Sequence, residues 1–294
     1  MKRSTAKFER VGIIANSGKT SSRSVVREAV KLITKSGREA WCDEETAVAA
    51  GIDVARCEHA HALSRKVDFI LVCGGDGTML RVARDLRGAR TPLLGLNVGA
   101  LGFLTDVPST GLPRALEQLW RGEFTIDRRA LMEVVGRAGD RTLRAVALND
   151  FVVSHGVVSR LIEIEVSVDG EVLTTYRGDG LIVSSPTGST AYSLSAGGAV
   201  VCPNAEVFSL TPICPHTLSN RAVIIPLSSQ IDVKIVSERL ETVLSADGTL
   251  LAELNAGDTI RIRRSSDSVR FMHLTGNSFF KTLRHKLHWR GSAI

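Results

Sequence analysis

The chain has 294 residues, enough for two hydrophobic cores, since domains usually run about 100–150 residues. With 44% hydrophobic and 23% charged residues it reads as globular rather than disordered, and no stretch approaches the roughly 20 apolar residues of a membrane span. The net charge of +6 suits a protein that handles phosphates, no dense basic run with interleaved aromatics argues for nucleic acid, and five scattered cysteines without a C-x-x-C pair fit reduced thiols in cytoplasm.

The first expected element is a strand over Gly12 to Ala15, an apolar stretch far too short for a signal-peptide core of about 7–15 residues. Asn16-Ser17-Gly18-Lys19-Thr20 follows as a polar loop that nearly spells a Walker A motif. That motif needs four residues between its glycines, whereas Gly12 and Gly18 enclose five, so the P-loop class is set aside. Val25-Val26, Ala29-Val30 and Leu32-Ile33 recur at helical spacing and predict a helix closed near Gly37; Trp41 to Asp53 receives no assignment. Cys57, His59 and His61, on an expected helix, splay apart at alternate spacing and make a poor metal site.

Phe69 to Cys73 reads as a strand buried on both faces, and the residues after Thr78 as a helix to about Leu86. Between them lies the turn Gly74-Gly75-Asp76-Gly77-Thr78. Its glycines are expected to take positive φ and to let an anion approach the amides at the helix start, so phosphate is the expected occupant. A carboxylate merely lining such a pocket would repel phosphate. Asp76 is therefore read as a metal ligand, a proton acceptor for an attacking hydroxyl, or an N-cap.

Leu93 to Asn97 is the next strand, and strand, helix, strand at this pace implies an open parallel α/β sheet. Two glycines in Asn97 to Thr105 suggest backbone close to a ligand, and Pro113 to Trp120 predicts a short helix ended by Gly122. From about Arg128 the period changes to two. Ile162, Ile164, Val166 and Val168 alternate with polar residues, Asp169-Gly170 follows, and Glu171 to Tyr176 completes a hairpin; further alternation at 231–235, 243–244 and 260–263 makes the second half antiparallel β. Phe280, Leu283 and Leu287 place a short helix in the tail. The expected fold is thus α/β plus all-β: an open Rossmann-like domain over 1–127, a β-rich, sandwich-like domain over 128–271, and a tail over 272–294 that returns to the first domain. Proteolysis is expected first near 122–130.

The glycine-rich turn resembles that of a kinase superfamily containing NAD kinases, diacylglycerol and sphingosine kinases. Ala147-Leu148-Asn149-Asp150, then Arg177-Gly178-Asp179-Gly180-Leu181-Ile182-Val183, then Pro186 to Gly198, in that order, look like NAD kinase of the bacterial type, from about Val11 to the C-terminus. The resemblance implies transfer of the γ-phosphoryl of ATP to the 2′-hydroxyl of the adenosine ribose of NAD, a requirement for Mg2+, a cytoplasmic location and a homotetramer or dimer. It makes Asp76 the catalytic carboxylate, acting as base or as magnesium ligand, with Gly77 beside it in the binding turn, and places ATP phosphates on Gly74 and Gly75, with Arg81 one turn further on. It assigns dinucleotide contacts to Asn149, Asp150, Arg160, Arg177 and Asp179, and to Thr190, Ala191, Tyr192, Ser193, Leu194 and Ser195 in a hydroxyl-rich loop, with Thr249 after Asp247-Gly248. His216 is read as structural. Two alternatives stand beside it: a diacylglycerol-type lipid kinase, disfavoured by the 187–198 loop and Asn149-Asp150, and a non-catalytic nucleotide-sensing protein, disfavoured by an intact Asp76.

Overall fold

The computed structural model describes residues 8–18, 20–99, 102–156, 161–217, 219–238 and 241–289. The chain divides into two compact units, residues 1–128 with 268–294, and residues 129–267.

The first unit alternates strands and helices: β1 (Arg10–Ala15), α1 (Thr20–Lys35), β2 (Glu39–Asp43), α2 (Glu44–Ala50), β3 (Ala55–Cys57), α3 (Ala60–Ser64), β4 (Phe69–Gly74), α4 (Asp76–Asp85), β5 (Leu93–Asn97), β6 (Val107–Pro108) and α5 (Leu112–Trp120). The first five strands pair in parallel in the order β3-β2-β1-β4-β5. Alternate strand residues share one core with the apolar stripes of the helices: Val11, Ile13, Phe69 and Leu71 pack with Val26, Ala29 and Ile33 of α1 and with Leu112 and Leu116 of α5. Each such buried Ile, Leu or Phe contributes roughly 1.5–3 kcal/mol. The order reverses direction between β1 and β4, and in open α/β sheets ligands bind outside the carboxyl ends of strands at such a switch point.

Trp41 to Asp53, unassigned from sequence, becomes the end of β2 and then α2. Both helix ends carry caps: the Asp43 carboxylate accepts from the Thr46 amide at 3.1 Å, and Gly51 takes φ 61°. Seven residues span too few turns to show a period. Cys57 ends β3 and His59 caps α3 from outside it, so the Cys57, His59 and His61 trio does not share one helix as expected, and the described residues hold no cluster of three metal-ligating side chains.

The second unit holds β7 (Phe124–Ala138) from Arg129 on, β8 (Arg141–Ala147), β9 (Asp150–His155), β10 (Ile162–Val168), β11 (Glu171–Gly178), β12 (Gly180–Ser184), α6 (Tyr192–Ser195), β13 (Val207–Ile213), β14 (Val223–Pro226), β15 (Ile231–Ile235), β16 (Thr242–Ala246), β17 (Thr249–Leu254) and β18 (Thr259–Leu274) up to Asp267. One sheet runs β14-β13-β12-β9-β16-β17; in the other, β11-β10-β15-β18 continues into β7 and β8. Their inner faces, Phe151, Val153, Leu181 and Val183 from the first and Ile162, Ile164, Val166 and Val233 from the second, make one core. The hairpin turns have both central residues at positive φ, Asp169 at 52° with Gly170 at 87° and Asp247 at 47° with Gly248 at 75°, the backbone of a type I′ turn.

The chain passes between the units inside β7 and again inside β18, which are hydrogen-bonded to each other. Residues 122–130, expected to be cut first, comprise the turn at Gly122 and the first part of β7. The closing helix α7 (Phe279–Lys286) belongs to the first unit; Leu283 is buried as expected, but Phe280 is 57% exposed, its ring edge-on to Phe279.

Candidate functional site

In the first unit the chain leaves the carboxyl end of β4 at Gly74 and turns straight into α4, whose first residue is Asp76, three positions earlier than the sequence spacing suggests. Gly75, not Asp76, is the N-cap, and it offers no side-chain acceptor to the first-turn amides. None of the three glycines takes positive φ, contrary to expectation. A Cβ on Gly74 would fall 2.3 Å from Thr78 Oγ1, so that glycine lets the first turn of α4 lie against the strand; a Cβ on Gly75 or Gly77 would meet nothing within 4 Å. Internal packing thus leaves those two positions open, as an approaching phosphate requires.

The Asp76 carboxylate is held by the turn after β5. Its Oδ2 accepts from the Phe103 amide at 2.8 Å and its Oδ1 from the Leu104 amide at 3.0 Å, with Thr105 Oγ1 3.5 Å from Oδ1. A Cβ on Gly102 would lie 1.9 Å from Oδ1. Arg81 faces the loop after β1: its guanidinium donates to Ala15 O at 3.3 Å and lies 3.8 Å from Glu45 and 3.9 Å from Asp85, while Ser17 Oγ donates to Glu45 at 2.5 Å. A cavity of about 330 Å³ lined by Arg114, Gln118 and Lys281 also lies in this unit and contains none of the motif residues.

In the second unit three loops converge at one end of the first sheet. The Asp247 carboxylate accepts from the amides of Leu148, Asn149 and Asp150 at 3.1, 2.7 and 3.3 Å, and the Asp247 amide donates back to Asp150 O at 3.1 Å. Ser185 binds the same segment from the other side, its hydroxyl donating to Leu148 O at 2.5 Å and its amide to Asn149 O at 2.9 Å. Asn149 and Asp150 are both buried. Burial, and then the charge of Asp247, push the Asp150 carboxyl from 3.8 up to about 7.

The hydroxyl-rich loop splits into two sets. Ser189 donates to Pro186 O at 2.8 Å and accepts from the Val201 amide at 3.0 Å; buried Ser193 pairs with Thr211 at 3.0 Å; and Thr187 accepts from Arg129 at 3.3 Å. These hydroxyls close the loop. Thr190, Ala191 and Leu194 are half-buried, Ser195 is exposed, and Tyr192 is 47% exposed, so its ring face is open to a ligand; Thr249 is exposed beside the Asp247-Gly248 turn. Gly188 lies flat on Asn149: a Cβ there would come within 2.1 Å of Asn149 O, backbone against backbone. Gly188→Ala is expected to destabilise this unit by about 1–3 kcal/mol, lowering the thermal midpoint by several degrees; a variant melting within one degree of the parent contradicts the contact.

Arg177 and Asp179 are not part of this cluster. They precede β12 while Ser184 ends it, so about 17 Å of strand separates the two groups. Arg177 lies 3.6 Å from Glu163, and a hydrogen bond to Asp179 raises the pKa of the Cys214 thiol. His216 donates its amide to Arg177 O and leaves its side chain exposed. Arg160 lies outside the described residues.

The family description for the ATP-NAD kinase N-terminal domain matches residues 11–124, and that for the ATP-NAD kinase C-terminal domain matches residues 148–274. The chain belongs to the ATP-NAD kinase family. An NAD kinase from an Acidovorax species is 41% identical over 290 residues, covering 96% of this chain and 97% of the relative, and one from Syntrophotalea carbinolica is 39% identical over 286 residues, covering 96% and 99%. Among solved structures, yeast NADH kinase complexed with NADH matches with a TM-score of 0.87 at 25% identity, over 97% of this chain and 89% of that one. An NAD kinase from Archaeoglobus fulgidus in complex with ATP matches with a TM-score of 0.73 at 25% identity, over 96% and 100%. Membership in the NAD kinase family sets aside the lipid-kinase reading.

Two features of this NAD kinase fold were not read from the sequence. Asp247 was seen only as the first residue of a turn, although its carboxylate anchors the whole Leu148–Asp150 segment. The Asn97 to Thr105 stretch stands out in the sequence for its two glycines, whereas its Phe103 and Leu104 amides hold Asp76. Both partners lie far away in sequence, 97 residues and 27 residues respectively, and no local pattern signals them.

Proposed function

We propose that the chain transfers the γ-phosphoryl of ATP to the 2′-hydroxyl of the adenosine ribose of NAD, giving NADP and ADP. The observation that carries this is the Asp76 carboxylate, fixed by two amides at the glycine-capped start of α4. Phosphoryl transfer proceeds through a loose transition state, so the protein's task is to position the groups and neutralise charge. Gly75 and Gly77 admit the ATP phosphates to the α4 N-terminus, and Asp76 orients the attacking hydroxyl and accepts its proton. Mg2+ fits this donor set: it takes oxygen ligands, usually one or two carboxylates beside substrate phosphates and waters, and Asp76 supplies the carboxylate. When bound, it neutralises charge on the phosphates.

In the second unit the Asn149 amide offers donor and acceptor together and the Asp150 carboxylate can hold vicinal ribose hydroxyls, while Tyr192 stacks on a planar ring of the dinucleotide. Thr190, Ala191, Leu194, Ser195 and Thr249 border that ring, and Ser193 acts through the loop backbone, because its hydroxyl is bound to Thr211. Arg177 and Asp179 are assigned to the nicotinamide half. A homotetramer or dimer in the cytoplasm completes the reading, and light scattering of the purified protein checks the assembly.

Purified protein mixed with ATP, Mg2+ and NAD should yield NADP, assayed with an NADP-specific dehydrogenase; no product overturns the proposal. Tyr192→Ala should raise the NAD KM roughly 5- to 150-fold, the equivalent of about 1–3 kcal/mol for stacking a base on an aromatic face, and leave the ATP KM nearly unchanged. Equal effects on both constants remove Tyr192 from the dinucleotide site.

A further inference from the structure

Thr105 is fully buried and Asn97 is 3% exposed, a depth at which every polar group must find a partner. A threonine hydroxyl has two acceptor lone pairs and one proton to donate. Here both lone pairs are used: Asn97 Nδ2 donates to Thr105 Oγ1 at 3.1 Å, and the Gly102 amide donates to it at 3.2 Å. The hydroxyl proton therefore points elsewhere, and among the described residues it has Asp76 Oδ1 as an acceptor, over a long 3.5 Å. The same Oδ1 takes the Leu104 amide and Oδ2 takes the Phe103 amide, so three consecutive residues aim donors at one carboxylate.

The backbone reinforces this register. The Val98 amide donates to Gly74 O at 3.3 Å, tying the residue after Asn97 to the strand end that launches α4. Gly102 has no Cβ where Asp76 Oδ1 sits, which lets the turn close over the carboxylate.

We infer that Asn97 and Thr105 form a buried positioning relay for Asp76: the Asn97 amide fixes the Thr105 hydroxyl, and that hydroxyl fixes the rotation of the carboxylate so that its remaining lone pairs face the reacting hydroxyl. Neither residue touches substrate. Both act through Asp76, and the inference rests on the catalytic reading of that residue. A donor chain of this kind also polarises along its length, which strengthens the last bond to the carboxylate.

The test compares the parent with Thr105→Val, Thr105→Ser, Asp76→Asn and the double variant Thr105→Val/Asp76→Asn, each folded by circular dichroism, in steady-state assays with ATP, Mg2+ and NAD. Thr105→Val keeps the shape and removes the hydroxyl, and is expected to lower kcat roughly 10- to 100-fold with the NAD KM within threefold. Thr105→Ser restores the donor and should return kcat to within about threefold of the parent. In the Asp76→Asn background, Thr105→Val should cost less than about threefold more, because a residue acting only through Asp76 has nothing left to position. If Thr105→Val does not fold, Asn97→Asp takes its place, with the same loss of kcat expected at an unchanged KM. The inference is overturned if Thr105→Val keeps parental kcat while Asp76→Asn loses it, if Thr105→Ser fails to restore the rate, or if the two losses multiply. No NADP from the parent protein overturns the functional reading itself, and the relay with it.

Discussion

Asp76→Asn is expected to lower kcat at least about 100-fold while the NAD KM stays within a few-fold, because help from a general base is typically worth about 10²–10⁴-fold and is realised in the transition state. Asn retains the shape, but it replaces one acceptor oxygen with an NH2 group that faces a backbone amide. The Phe103 and Leu104 amides each need an oxygen, at 2.8 and 3.0 Å, so the variant can satisfy only one of them and cannot take a proton. A magnesium series separates the two roles. If the carboxylate chiefly holds metal, raising Mg2+ refills a weakened site and recovers much of the rate; if it chiefly orients and deprotonates the hydroxyl, the loss persists at saturating Mg2+. A variant that keeps more than about a tenth of parental kcat at every magnesium level fits neither role and reduces Asp76 to the first residue of a helix.

Local chemistry was legible in the sequence where it acts within a few residues. Asp169-Gly170 reported a hairpin because a type I′ turn demands positive φ at both positions, and Ile162, Ile164 and Val166 reported the inner face of β10 because a pleat repeats every two residues. The central strand was equally plain: Phe69 to Cys73 are apolar throughout, and all are buried. What stayed hidden needed partners remote in sequence or too few residues to show a pattern. β3 has three residues, all at least partly exposed, and carries no hydrophobic signal.

The candidate site divides the same way. Its residues were visible as motifs, but the reasons for them were not. The abundance of Ser and Thr from Thr187 to Ser195 suggested hydroxyls reaching a ligand, whereas Ser189 and Ser193 are fully buried and tie the loop to Pro186, Val201 and Thr211. Buried polar groups must be paired, so a loop that crosses the sheet end needs hydroxyls for its own closure before any remain for substrate. Likewise Asp247 carries the turn chemistry that identifies a hairpin and, at the same time, a charge that adds to burial in raising the Asp150 pKa, and sequence reveals only the first.

Burial of Asp150, with the Asp247 charge second, leads to a stability that runs against the usual direction for a carboxylate. The folded protein holds the Asp150 carboxyl at about 7 against an ordinary 3.8, first through burial and then through Asp247. The folded state therefore binds a proton that the unfolded chain has already released. The resulting stabilisation is complete below about pH 4, declines as the pH rises, and is gone above about pH 7. Between pH 5 and pH 8 the protein should lose up to about 3 kcal/mol from this group alone, an upper figure from 1.36 kcal/mol per pH unit. Asp150→Asn removes the titration and keeps the shape. Its thermal midpoint should exceed the parent's by a margin that widens steadily from pH 5 to pH 8, reaching several degrees at pH 8. The gain in stability should carry a loss in function: ribose hydroxyls donate best to an ionised carboxylate, so the NAD KM of the parent should rise as the pH falls from 7 toward 5, while that of the Asn variant should be higher at pH 8 and flat across the range. Paired thermal melts and KM profiles at pH 5, 6, 7 and 8 provide the measurement, and a parent that gains stability relative to Asp150→Asn as the pH rises has the opposite sign and contradicts a buried, proton-retaining Asp150.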